Sequence, residues 1–164
     1  MGSAPGISFE ELLDYQEEQT EQWRELFEKK PFLLKVDSSP TWTIGDLLFH
    51  TFTSEYRIAQ RLLGETMTPD TEFARRSVSD LFSIGEAAHL KMREYVAHRT
   101  QDDLASVQKY PSPTLGEFEA SPKKMLTHAI IHGIRHWAQV ARAIRENGQR
   151  ADFSHDPLFS KKLR

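Results

Sequence analysis

A chain of 164 residues has room for one domain with a proper core and not for two comfortable ones. Its 38% hydrophobic and 27% charged residues are those of an ordinary soluble protein, and a net charge of −3 offers no basic footprint for nucleic acid or a membrane surface. The absence of Cys excludes disulfides, thiolate metal sites and a cysteine nucleophile, so any metal must be held by His, Asp or Glu.

Residues 1–7 are expected to form a disordered N-terminus, with Met1-Gly2-Ser3 read as a cloning remnant. A domain over residues 8–148 follows, built from four segments of helical periodicity. The first runs from Ser8 to about Lys30. Ser8 and Glu11 have the spacing of a capping box, Pro31 stops the helix, and Leu13, Trp23, Leu26 and Phe27 are among its apolar positions. The second runs from Thr43, its N-cap, to about Leu63, with Gly64 just past its end. The third starts near Ser79 or Asp80 and reaches about Arg99, with Leu81, Phe82, Ile84, Ala88, Met92 and Tyr95 apolar. The fourth has Ser121 as N-cap, Pro122 at the first helical position, and Asn147-Gly148 at its close.

Residues 31–42 and 64–78 are connections of moderate length. Residues 100–120, with Pro111, Pro113 and Gly116, form a longer one that permits a crossover, and a short extended piece is expected at Leu104 to Val107. Residues 149–164 form a polar tail whose Phe153, Leu158 and Phe159 are expected to dock on the bundle or on a second subunit. No apolar run approaches a membrane span and no signal peptide opens the chain, so a cytoplasmic protein is expected.

The fourth helix carries His128, His132 and His136 at intervals of four. Such a spacing points two imidazoles the same way, about 5–6 Å apart at Cβ, close enough for both to meet one ion. On a helical wheel His132 and His136 fall on one margin of the apolar arc, while His128 lies further round, on the surface or behind the ligands. A third donor must come from another helix. His50 in the middle of the second helix is the best candidate, although its wheel position suits a solvated side chain as well as a ligand in an open cleft. His89, His98 and His155 have no partner at a useful spacing. The bland alternatives stand beside this reading: a His pair at this spacing is often incidental. Gly133 between the two His has its own pair of explanations, plain helix packing or close approach of a ligand.

These residues resemble a known family. Leu126 to Gly148, with His132, His136, Gln139 and the ending Ile144-Arg145-Glu146-Asn147-Gly148, is similar to the last-helix signature of the DinB/YfiT-like superfamily. Trp42 to His50 resembles that family's first-His motif. The resemblance implies an all-α four-helix bundle of up-down-down-up topology with a long connection between helices three and four, usually a homodimer. It implies one divalent metal, Zn, Ni, Fe or Mn, held by His50, His132 and His136 with positions left open for water or a small-molecule substrate. Trp137 departs from the family pattern, and beside a metal it would narrow the cleft or stack on a substrate.

Characterised members include thiol-dependent S-transferases and a mycothiol-dependent isomerase. The resemblance therefore points to a transferase that uses a low-molecular-weight thiol on small electrophiles. A metal-binding, stress-related module without turnover is one alternative, a metal-dependent hydrolase a second, and a dimerising bundle without metal a third. Glu55 falls inside the apolar arc of the second helix. A carboxylate there is either an acid/base or ligand-orienting group of the site, or a structural one paired with an Arg or Tyr of another helix.

Overall fold

The computed structural model describes residues 6–112 and 114–163 of the chain. The expectation for Met1-Gly2-Ser3 lies outside those residues, as does Pro113 of the long connection.

Helix boundaries follow local chemistry. Helices α1 (Phe9–Lys29), α2 (Ile44–Leu63) and α3 (Val78–Ala97) each open on a reciprocal capping box, formed by Ser8 with Glu11, Thr43 with Asp46, and Ser77 with Asp80. Helix α3 thus starts slightly before the predicted Ser79 or Asp80, because Asp80 serves as the third residue of the box rather than as its cap. Gly64 ends α2 in the left-handed region at φ 70°, which suits a residue without a Cβ.

The expected extended piece at Leu104–Val107 is a correction. Leu104 is buried within a short helix, α4 (Gln101–Ala105), because Thr100 and Asp103 form a fourth capping box. The extended backbone comes after it. Strands β1 (Gln108–Ser112) and β2 (Gly116–Ala120) form an antiparallel pair with Tyr110 opposite Phe118. Helix α5 (Pro122–Glu146) opens on Ser121, whose hydroxyl accepts from the Lys124 amide. Apart from the strand pair, the fold is the expected all-α bundle.

Contacts between the four long helices show how they run. Arg93 bonds Glu17 and Asp14 while Arg24 bonds Glu86, so α1 and α3 pass each other in opposite senses. Phe52 packs on Phe82 and Glu55 lies at His89, so α2 and α3 run the same way. Gln16 donates to the Ile130 carbonyl and Trp23 stacks on Trp137, so α1 and α5 also agree in sense. Helix α2 meets α5 in the opposite sense, with His50 at His136 and Glu55 at Gly133. That last pairing sets the middle of α2 against the middle of α5.

The interior has two apolar clusters. One surrounds Trp23, Phe27, Phe52, Phe82 and Trp137. The other includes Leu13, Ala59, Met92, Tyr95 and Leu126. Buried polar side chains fall between them along two helices, Gln16, Gln19 and Thr20 between Leu13 and Trp23 on α1 and Glu55 between Phe52 and Ile58 on α2, and the buried His89 of α3 lies against Glu55. The tail docks in part. Phe153 packs edge-on against Trp23 at 4.9 Å, and the Tyr15 hydroxyl donates to the His155 carbonyl at 2.7 Å, while Leu158 and Phe159 stay exposed on this single chain.

Candidate metal centre

Helix α2 projects His50 toward α5, and the four-residue spacing of α5 turns His132 and His136 to meet it. One ring nitrogen from each of the three lies within 4.8 Å of the others. Ring centroids are 5.2 Å apart for His50 and His132, 5.3 Å for His50 and His136, and 4.3 Å for His132 and His136. The two Nε2 atoms of α5 face each other at 3.0 Å. Two such nitrogens repel unless a proton or a cation lies between them. Imidazole nitrogens around a tetrahedral ion are separated by about 3.3 Å, given a Zn–N distance of ~2.0–2.1 Å. The three-His group could therefore hold a metal ion, and among the described residues it is the only group of three or more His, Cys, Asp or Glu so placed.

Two neighbours shape the donors. The side-chain oxygen of Gln139 lies 2.6 Å from His136 Nδ1. An amide oxygen only accepts, so this contact assigns the proton to Nδ1 and leaves the Nε2 lone pair for a ligand. Trp42, in the turn before α2, packs its ring 5.0 Å from that of His50. Burial pushes the His132 imidazole down to about 3, with His136, His50, His128 and Arg135 adding smaller unfavourable charge. Burial, followed by the neighbouring His136, lowers His50 as well. Both rings are thereby held neutral, the form a metal requires.

The remaining sequence candidates fall elsewhere. His128 is exposed with its ring 5.7 Å from His132, outside the group of three. Trp137 does not stand in a cleft. It is 3% exposed, stacked on Trp23 at 5.5 Å and set edge-on to Phe52, because it sits at the centre of the apolar arc of α5. No face of the indole is left for a substrate.

Glu55 is buried as expected, but its partner is neither Arg nor Tyr. Its Oε2 lies 3.3 Å from Nε2 of His89, itself 2% exposed on α3. The carboxylate and the Gln16 amide press against the backbone of Gly133, where a Cβ would stand 2.7 Å from both. That close approach by α1 and α2 explains the glycine. Gln139 is the residue the sequence reading left without a role. Its spacing of three from His136 on one helix was the available signal.

The imidazoles open on two clefts. A smaller one of about 290 Å³ is lined by Trp42, His50, His136, Gln139 and the ion pair of Arg142 with Glu146. A larger one of about 660 Å³ runs from His50 and His132 between α2, β2 and the start of α5. Among the described residues, no helix is long and apolar enough to cross a membrane.

The sequence model of the DinB family matches residues 4–157, nearly the whole chain, and the chain belongs to that family. No curated protein matches it.

Proposed function

We propose that this member of the DinB family holds one divalent metal ion through His50, His132 and His136 and acts as a thiol-dependent transferase on small electrophiles. The observation that supports the first half is the convergence of three imidazoles from two helices, with His50 and His132 held neutral by burial, on a space one ion would fill. Three nitrogen donors suit Zn, Ni, Fe or Mn and leave positions free for other ligands. When bound, such an ion supplies Lewis acidity, which favours the thiolate form of a small thiol.

The chain's own residues do the rest. Gln139 fixes the tautomer and orientation of His136. Burial keeps His132 unprotonated, and Trp42 covers one side of His50. The two clefts give a thiol and an electrophile separate approaches. The reaction joins sulfur to an electrophilic carbon, with the thiol proton lost and the leaving group departing with its electron pair.

A metal-binding module without turnover is the second reading. The inward placement of Glu55, engaged with His89 and Gly133, favours it over a hydrolase, which would need a base aimed at water beside the imidazoles. Metal analysis of protein purified without an affinity tag is the first test. Wild type is expected to contain about one equivalent, and His132→Ala and His136→Ala to lose most of it with helicity intact. Full retention in either variant would overturn the ligand assignment. Metal-loaded protein is then screened with small thiols and alkylating electrophiles; no turnover with any pair leaves the module reading. By family resemblance we also propose a homodimer, so light scattering behind size exclusion is expected to return twice the chain mass, and a monomer rejects this.

A further inference from the structure

We infer that the larger cleft beside the three imidazoles binds the carboxylate end of an elongated, anionic small thiol, with Arg61 and Lys124 as the counter-charges. The inference rests on the thiol reading above and names the class of thiol. The cleft begins at His50 and His132 and continues past Ile58, Met125 and Phe118, an apolar floor. Its lining is basic. Arg57, Arg61 and Lys124 line it against a single acid, Glu119.

Those cations differ in what they already hold. Arg57 is committed: it donates to the Thr68 carbonyl at 3.1 Å and is paired with the Asp70 carboxylate. Arg61 has no carboxylate partner among the described residues. Its Nε donates to the Pro111 carbonyl at 3.1 Å and its guanidinium lies 6.0 Å from the Phe118 ring centroid. That bond anchors the fork and leaves its terminal nitrogens for a planar anion. Burial and then the charge of Arg57 lower the Arg61 pKa, as expected of a cation lacking its counter-ion. Lys124 also lacks a carboxylate partner among the described residues and approaches from the opposite wall on α5. The smaller cleft offers no such charge, since its Arg142 is already paired with Glu146.

The spacing sets the ligand's length. Arg61 follows His50 by eleven residues on α2, about 16 Å at 1.5 Å per residue, and the longer Arg61 side chain leaning back toward the helix start shortens the span by a few ångström. A thiol with its carboxylate two or three residue-lengths away fits this span; a compact thiol does not.

The test uses cobalt-substituted full-length protein and two probes, N-acetyl-cysteinyl-glycyl-glycine and its C-terminal amide. Binding is read by the sulfur-to-cobalt absorption. The free acid is expected to bind about fivefold more tightly than the amide, the worth of one partly exposed ion pair. Arg61→Gln and the exposed Lys124→Gln are each expected to shrink that gap without lowering cobalt content. A second readout, the Arg61 Nε–H NMR signal of wild type titrated with glutarate, follows the anion without any thiol. Absorption with equal affinity for both probes overturns the anion site and leaves the metal–thiol reading standing. A saturable Arg61 shift without absorption does the reverse. Neither signal rejects both.

Discussion

At Gly133 one methyl group decides a balance. Alanine is favoured over glycine in a helix by ~1 kcal/mol. Here its Cβ would meet the Gln16 amide and the Glu55 carboxylate at 2.7 Å, and both are buried, with Gln16 tied to the Ile130 carbonyl. Gly133→Ala is therefore expected to lose stability by about 1–3 kcal/mol, the usual cost of overpacking. Urea denaturation measures it, and a rise in the midpoint would show that α1 and α2 yield to the methyl. The same position shows what a sequence can tell. Periodicity marked Glu55 as buried and Gly133 as unusual, but it could not say that the two meet, nor that His89 completes the contact from α3. The three clustered His were easier, because three His, two of them four apart, form a pattern of residue type and not of packing partner. Trp137 shows the limit: the family departure drew it toward the site, and the structure buries it in the core instead.

Elements were legible where their ends carry chemistry. Thr43 and Gly64 bound α2, and Ser121 and Asn147 bound α5, as read from caps alone. The strand pair was not legible, since Gln108–Ser112 and Gly116–Ala120 lack a sustained apolar alternation and exist by pairing with each other. The tail was read only as apolar residues in search of a surface. Its docking supplies a pH prediction. Burial, followed by Asp156 and Glu18, pushes the Tyr15 hydroxyl up from 10.0 to about 12. Between these values the unfolded chain has released this proton and the folded chain retains it, so stability falls as pH rises through the window. The hydroxyl whose proton is lost is the one that donates to His155. Tryptophan emission, reporting Trp23 beneath Phe153, is expected to change between pH 10 and 12 in wild type, and Tyr15→Phe is expected to lack that component of the denaturation profile. An identical profile in both would remove Tyr15 from the anchoring of the tail.

Over the whole molecule, the three imidazoles join only α2 and α5. An ion held there stabilises the folded state by mass action, about 2.7 kcal/mol at a hundredfold excess over Kd. For a domain of this size that amounts to a Tm gain of roughly 5–10 °C. Thermal melts with and without zinc are expected to show it in wild type and to lose it in His50→Ala. An equal gain in that variant would place the zinc elsewhere. The donors also differ in when they become available. A ribosome releases His50 about eighty residues ahead of His132, on the order of ten seconds at usual rates of elongation. Throughout that interval the nascent chain displays an isolated imidazole with no special hold on any ion. Capture must wait for the last long helix to seat against the second, so metal loading doubles as a report that translation and assembly have both run their course.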